Sequence, residues 1–214
     1  MATKEQILKD IKANNEEIKL ERLEKIVKDS ACDQETRKIA FIIMSEIYIK
    51  KLWFGNAAKS FLNAADLAKT FDDKKDLFFK AGELFVRTQD YFTAEDTFRK
   101  VIVLASAKDK KTTHEKIIAV YTDYAKELES KRMQTKAISV YNKILTLNLP
   151  LEEANKVRDR MAELYEKIGK PRDANWIKAQ KVSAVENAKR ENEKSAAERA
   201  AAEDQSSAER FIGV

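Results

Sequence analysis

Large and small apolar residues return along this chain in four stretches that share one internal spacing. With Ala57, Ala94, Ala137 and Ala174 as the common position, the residue nine earlier is Tyr48, Phe85, Leu128 or Tyr165, and the residue twelve earlier is Ser45, Gly82, Ala125 or Ala162. Four later stand Phe61, Phe98, Tyr141 and then Lys178; three beyond those stand Ala64, Val101, Ile144 and Lys181. A pattern that recurs after 37, 43 and 37 residues predicts a row of similar units, each buried against its neighbours, rather than one closed core.

Each stretch reads as two helices. Phe41, Met44, Ser45 and Tyr48 fall at i, i+3, i+4 and i+7, which places them on one helical face. After a turn, Ala57, Phe61 and Ala64 repeat the same three-and-four spacing, as do Ala94, Phe98 and Val101, and Ala137, Tyr141 and Ile144. The small residues matter because the distance between packed helix axes is set by the side chains at the contact. Bulk at these positions would push the two helices apart.

The pattern resembles that of the tetratricopeptide repeat (TPR) family, most closely in the second stretch, where Phe78, Ala81, Gly82, Phe85, Tyr91, Ala94, Phe98 and Val101 are all in phase. The resemblance covers residues 38 to 176. It departs from the family in its stretched period, in having Pro150 as the sole unit-ending proline, and in Lys178 replacing an aromatic. It implies an all-α chain: a right-handed α-solenoid of TPR-like helix pairs, with repeats near 38–71, 75–108, 118–151 and 155–188. Residues 1–35 are then an N-terminal helical cap, 36–176 the repeats, and 177–214 a charged C-terminal helix and tail.

In that family the first helices of successive repeats line a concave groove. Carried over by phase, the groove positions are Ile39, Ile42, Glu46, Ile49 and Lys50 in the first repeat, and Asp76, Phe79, Glu83, Val86 and Arg87 in the second. The third contributes Ala119, Thr122, Lys126 and Glu129. The family's clamp for a terminal carboxylate needs lysine and asparagine where this chain has Ile42 and Glu46, which argues against a chaperone-tail receptor. The apolar set suits an amphipathic helix or an extended apolar peptide from a protein partner. Residues 6 to 27 of the chain itself are the competing occupant, since a contiguous apolar patch is costly in solubility unless covered. Trp53 has no counterpart in the second repeat, where Phe54 is matched by Tyr91, so Trp53 is read as a contact residue.

The flanks differ from the repeats. Glu5 to Lys28 reads as helix with two stripes, Ile7, Leu8 and Ile11, then Leu20, Leu23, Ile26 and Val27, broken near Asn14 and Asn15. Its expected role is to cover the apolar end of the row. Asp33 is the expected cap of the first repeat helix, and Asn56 that of the second, after Gly55. Trp176, Val182 and Val185 are expected to touch the preceding helix. From Ala188 to Ala208 the chain is alanine and charge, with i,i+4 pairs such as Glu186–Arg190, and it ends in an apolar tip, Phe211 to Val214, a candidate anchor for a partner groove.

Composition supports helices: 4 glycines and 2 prolines in 214 residues leave little for tight hairpins. Forty-one basic against 36 acidic residues give a net charge of +5, and the excess lies in the repeats. Its densest cluster is Lys108, Lys110, Lys111 and Lys116, in what reads as a long connection between the second and third repeats. These lysines carry the alternative reading, an RNA- or ribosome-associated protein. A trafficking adaptor of the soluble attachment protein type is a third.

Catalysis is disfavoured by inventory. One histidine, His114, excludes multi-imidazole metal sites and triads with a spare base, and there is no phosphate loop, GxSxG or CxxC. The expectation is no enzyme, no cofactor and no metal. The lone Cys32 and the absence of a long apolar run predict a reducing, cytoplasmic setting without a membrane span.

Overall fold

A computed structural model describes the backbone of residues 15–212 and side chains up to Lys194, with Ala188, Glu191 and Asn192 left aside. The Ile7–Leu8–Ile11 stripe and the side chains of the Phe211–Val214 tip lie outside the described residues. Among the described residues there are nine helices and no strand: α1 (Glu16–Lys28), α2 (Gln34–Lys50), α3 (Phe54–Asp66), α4 (Phe71–Arg87), α5 (Tyr91–Leu104), α6 (Asp109–Ser130), α7 (Gln134–Leu145), α8 (Leu151–Lys167) and α9 (Pro171–Ile212). The chain is all-α, built of TPR-like helix pairs and ending in a long helix. It divides into two compact bodies, Met1–Tyr124 and Ala125–Val214.

The turns inside the pairs are one device used four times. Leu52, Gln89, Arg132 and Gly169 have positive φ of 59, 63, 58 and 75°. They stand 37, 43 and 37 residues apart, the spacing of the alanines. At each, the αL residue donates its N–H to a carbonyl three back, and the next residue donates to a carbonyl five back: Trp53 to Tyr48 at 2.8 Å, Asp90 to Phe85 at 3.1 Å, Met133 to Leu128 at 2.8 Å, and Lys170 to Tyr165 at 2.8 Å. This is the Schellman closure, which satisfies the last carbonyls of one helix and aims the chain back along it. Leu52 takes the conformation for which glycine is the usual choice. As a result α3 starts at Phe54, with Gly55 and Asn56 already inside it, which corrects the expected cap at Asn56.

Three of the four turns hold a side chain in a backbone region that costs a non-glycine residue about 1 kcal/mol or more. Leu52 is 71% exposed, so its side chain adds little packing to offset that cost. Leu52→Gly and Arg132→Gly are expected to raise stability by up to about 1 kcal/mol each, measured by urea unfolding. Gly169→Ala, where a Cβ would meet nothing within 4 Å, is expected to lower it by a similar amount through backbone strain alone. Stability unchanged in all three would refute the strain assignment.

In the N-terminal body, α2 with α3 and α4 with α5 form pairs, and α3 packs on α4. Ala57, Ala94 and Ser45 are wholly buried at the seams, and Gly82 is buried with them. Asp33 caps α2 by accepting from the Thr36 N–H at 2.9 Å, as expected, and Thr70 caps α4 by accepting from Asp73 at 3.1 Å. Asn15 caps α1, accepting from Glu17 at 2.8 Å. That cap fixes the helix start next to the expected break. Leu20 and Leu23 are buried, and α1 packs on α2.

The C-terminal body repeats the theme with Ala125, Ala137 and Ala174 wholly buried, and Ala162 nearly so. Beside this apolar core lies a polar cluster. Glu129 accepts from the Tyr141 hydroxyl at 2.7 Å and from Arg160, bidentately, with one contact at 3.1 Å. The two lysines that break the repeat pattern have a structural role: Lys178 pairs with Glu166 and Lys181 with Asp159, each at 2.7 Å, tying α9 to α8. Where the earlier repeats show an aromatic, this fourth one shows a cross-helix ion pair. Trp176 and Val182 are exposed, against the expected contact; Ala174 and Ile177 are the buried residues on α9.

Candidate protein-binding face

The first helices of the first two repeats, α2 and α4, approach each other at their starts. Because α2 runs antiparallel to α3, and α3 to α4, α2 and α4 run the same way. Lys38 near the start of α2 reaches Asp73 in the first turn of α4 at 3.6 Å. At the start of α6, Asp109 adds to the field that raises the Lys75 pKa on α4, behind the hydrogen bond and charge from Asp72. At the other end of α4, the Tyr124 hydroxyl donates to the Arg87 carbonyl at 3.0 Å.

On α2, Ile39, Ile42 and Ile49 are half-buried, while Glu46 and Lys50 are exposed. Helix α1 packs on α2: Glu17 approaches Lys51 at 3.6 Å, and burial together with the charge of Glu24 pushes the Tyr48 phenol above its ordinary pKa. Glu46 remains open to solvent beside this packing. Trp53 is half exposed; its ring stacks on Tyr48 with centroids 6.0 Å apart, and the Lys51 ammonium lies 5.3 Å from it. It is therefore both a packing and a surface residue.

On α4 the expected set divides. Phe79 is half-buried with its ring 5.7 Å from that of Phe98, and Glu83 is half-buried. Val86 is wholly buried and belongs to the core, which corrects its assignment to the groove. The physical reason is packing: Val86 stands four residues beyond Gly82, whose position closes onto Phe98, and folding covers it fully where Phe79, on the same side of α4, stays partly open. Arg87 is half-buried, with its guanidinium 5.8 Å from the Phe54 ring. On α6, the Thr122 hydroxyl donates to the Ile118 carbonyl at 2.9 Å, and Lys126 is exposed.

The lysine cluster is not a loop. Helix α6 begins at Asp109, where the Asp109 N–H donates to Ser106 Oγ at 3.2 Å and Ser106 Oγ donates back to the Asp109 carboxylate at 2.6 Å. That reciprocal cap has the S-x-x-D form of a capping box. The four lysines, Lys108, Lys110, Lys111 and Lys116, are exposed at or near this helix start. The nearby tyrosines offer no stacking platform: Tyr121 is wholly buried and Tyr124 bonds to Arg87. Among the described residues no group of three or more His, Cys, Asp or Glu is placed to hold a metal, and no helix is long and apolar enough to cross a membrane.

Other exposed large apolar residues, Phe71, Phe92 and Val103, escaped the reading of the repeat. Phe92 and Val103 fall off the three-and-four phase of Ala94, Phe98 and Val101. That offset is a usable signal, because an off-phase aromatic cannot share the buried stripe.

No protein-family model matches the chain, and no curated protein does. Several solved structures are similar to it. BtubC from P. vanneervenii is 13% identical, with 86% of this chain and 80% of that chain covered and a TM-score of 0.37. MamA is 15% identical, with 85% and 95% covered and a TM-score of 0.38. The apo form of the quorum sensor NprR from B. thuringiensis is 18% identical with a TM-score of 0.42, and this chain spans 52% of its length. Identities and overlaps this low assign no function; the repeat architecture follows from the chain's own turns and buried alanines.

Proposed function

We propose that the chain is a non-enzymatic adaptor that holds a peptide or amphipathic helix of another protein against α2 and α4. One observation carries this reading: two parallel neighbouring helices present Ile39, Ile42, Ile49 and Phe79, all incompletely buried, beside Glu46, Glu83 and Lys50. An incompletely covered apolar stripe with charged flanks is what a helix-in-groove partner recognises. Trp53, at the turn of the same repeat, extends the contact at one edge, and Arg87 and Thr122 extend it within the N-terminal body.

The test is affinity capture with Ile42→Asp and Glu46→Arg, two positions whose substitution leaves the Phe98 cluster intact. The expected result is loss of captured partners, at least about tenfold, with helical circular dichroism unchanged. Capture unaffected by both changes would end the proposal. Charge reversal at Lys108, Lys110 and Lys111 is expected to leave capture intact; if instead it abolished salt-sensitive RNA retention, the RNA reading would replace this one.

A further inference from the structure

A second surface lies at the junction of α3, α4 and α5, apart from the residues named for the adaptor face. It is a cleft of about 420 Å³, within the range of about 300–1,000 Å³ typical of ligand pockets. Phe78 forms its floor, and Val103 and Leu104 supply further apolar wall. Phe71, one helical turn before Lys74 on the same side of α4, is 77% exposed, and Val103 is 75% exposed. These open side chains enlarge the apolar surface that a partner could cover at the cleft.

The charges around the cleft are arranged over that floor. The ammonium groups of Lys74 and Lys100 lie 5.8 and 5.7 Å from the centroid of the Phe78 ring. One carboxylate, Asp96, serves two cations, Lys100 at 3.1 Å and Arg99 at 3.6 Å. Lys74 has no ion pair among the described residues. Asp66, at the end of α3, is the other acidic wall residue, so three cations face two carboxylates.

We infer that this cleft is a docking site for an acidic amphipathic segment of a partner protein, with an apolar anchor on Phe78 and carboxylates meeting Lys74, Arg99 and Lys100. A carboxylate entering there gains two cations that share one counter-charge and one that has none. The concave floor suits an inserted side chain better than a flat bilayer.

The probe is a fluorescein-labelled acidic amphipathic peptide, with phenylalanine and leucine on one face and glutamate elsewhere, alongside its lysine counterpart. Fluorescence anisotropy is expected to show binding of the acidic peptide only, weakened about tenfold at high salt and about tenfold by Lys74→Glu with Lys100→Glu. Should that pair unfold the chain, Lys74→Gln with Lys100→Gln is expected to weaken binding several-fold with helical content retained. Ile42→Asp is expected to leave this binding unchanged, which separates the result from the fate of the adaptor face. Equal binding of both peptides, or indifference to both lysine pairs, would overturn the inference. So would loss of binding on Ile42→Asp, and so would capture of phosphatidylserine vesicles in place of the peptide.

Discussion

Gly82→Ala is expected to destabilise the N-terminal body by about 2 kcal/mol, although a mid-helix glycine-to-alanine change normally stabilises. The opposing terms can be weighed. Helix propensity favours alanine by about 1 kcal/mol in an exposed helix. At position 82, however, a new Cβ would stand 2.6 Å from Cε1 of Phe98 and 2.9 Å from its Cδ1 and Cζ. No relaxed contact is that short, so the ring must move. Phe98 is 3% exposed, with Phe79 at 5.7 Å and Tyr121 at 6.0 Å between ring centroids.

The clash therefore displaces a cluster rather than one flexible end. Overpacking of this sort costs typically 1–3 kcal/mol, more when backbone must shift, and outweighs the propensity gain. Chemical denaturation of the variant measures it. The double variant with Phe98→Leu is expected to recover part of the loss, a coupling that a double-mutant cycle reads directly. A more stable Gly82→Ala would show that α4 and α5 are farther apart than the structure places them.

The second large effect concerns Arg160. Glu129 is mostly buried, with only 11% of its side chain exposed, while Arg160 is 42% exposed. Burial raises the Glu129 carboxyl, but hydrogen bonds from Arg160 and Tyr141 and the charges of Arg160 and Lys167 outweigh it, leaving the pKa below its ordinary value of 4.5. Removing the guanidinium leaves a buried carboxylate with the tyrosine alone. Breaking a fully buried pair costs about 3–5 kcal/mol; the half-open position of Arg160 lets water replace part of it, so Arg160→Met is expected to cost about 2 kcal/mol.

The pH dependence follows from the direction of the shift. A carboxyl whose folded pKa is depressed contributes stability above its unfolded pKa, and that contribution disappears as pH falls through the folded value. The wild-type C-terminal body should therefore lose stability below about pH 4.5 by a term that Arg160→Met lacks. Parallel acid profiles for the two proteins would contradict the assignment.

Much of this was legible in the residues. The recurrence of Ala57, Ala94, Ala137 and Ala174 located four seams, because a helix seam admits only small side chains, and small side chains at fixed spacing survive as a pattern. Asp33 was legible as a cap because a short polar side chain ahead of an apolar helix has few other uses. The true N-terminus of α3 was not legible. Leu52 adopts a glycine-like conformation that its side chain does not announce, and the energy that holds it there comes from hydrogen bonds to Ile49 and, through Trp53, to Tyr48. The start of α6 was hidden differently: charges among Lys108 to Lys116 read as a connection, whereas the reciprocal Ser106–Asp109 cap makes them helix.

The sequence by itself determined which residues meet, since burial of a repeated stripe depends on periodicity and volume, both written in the chain. Only the tertiary structure decided which of the remaining apolar residues stay open. Val86 and Phe79 differ in exposure though they share one side of α4, because burial at a given position depends on the neighbours that folding brings over it. Likewise Lys178 and Lys181 looked like lapses in the pattern until α8 supplied Glu166 and Asp159. Local periodicity assigns a face to a side chain; neighbours brought close by folding assign its partner.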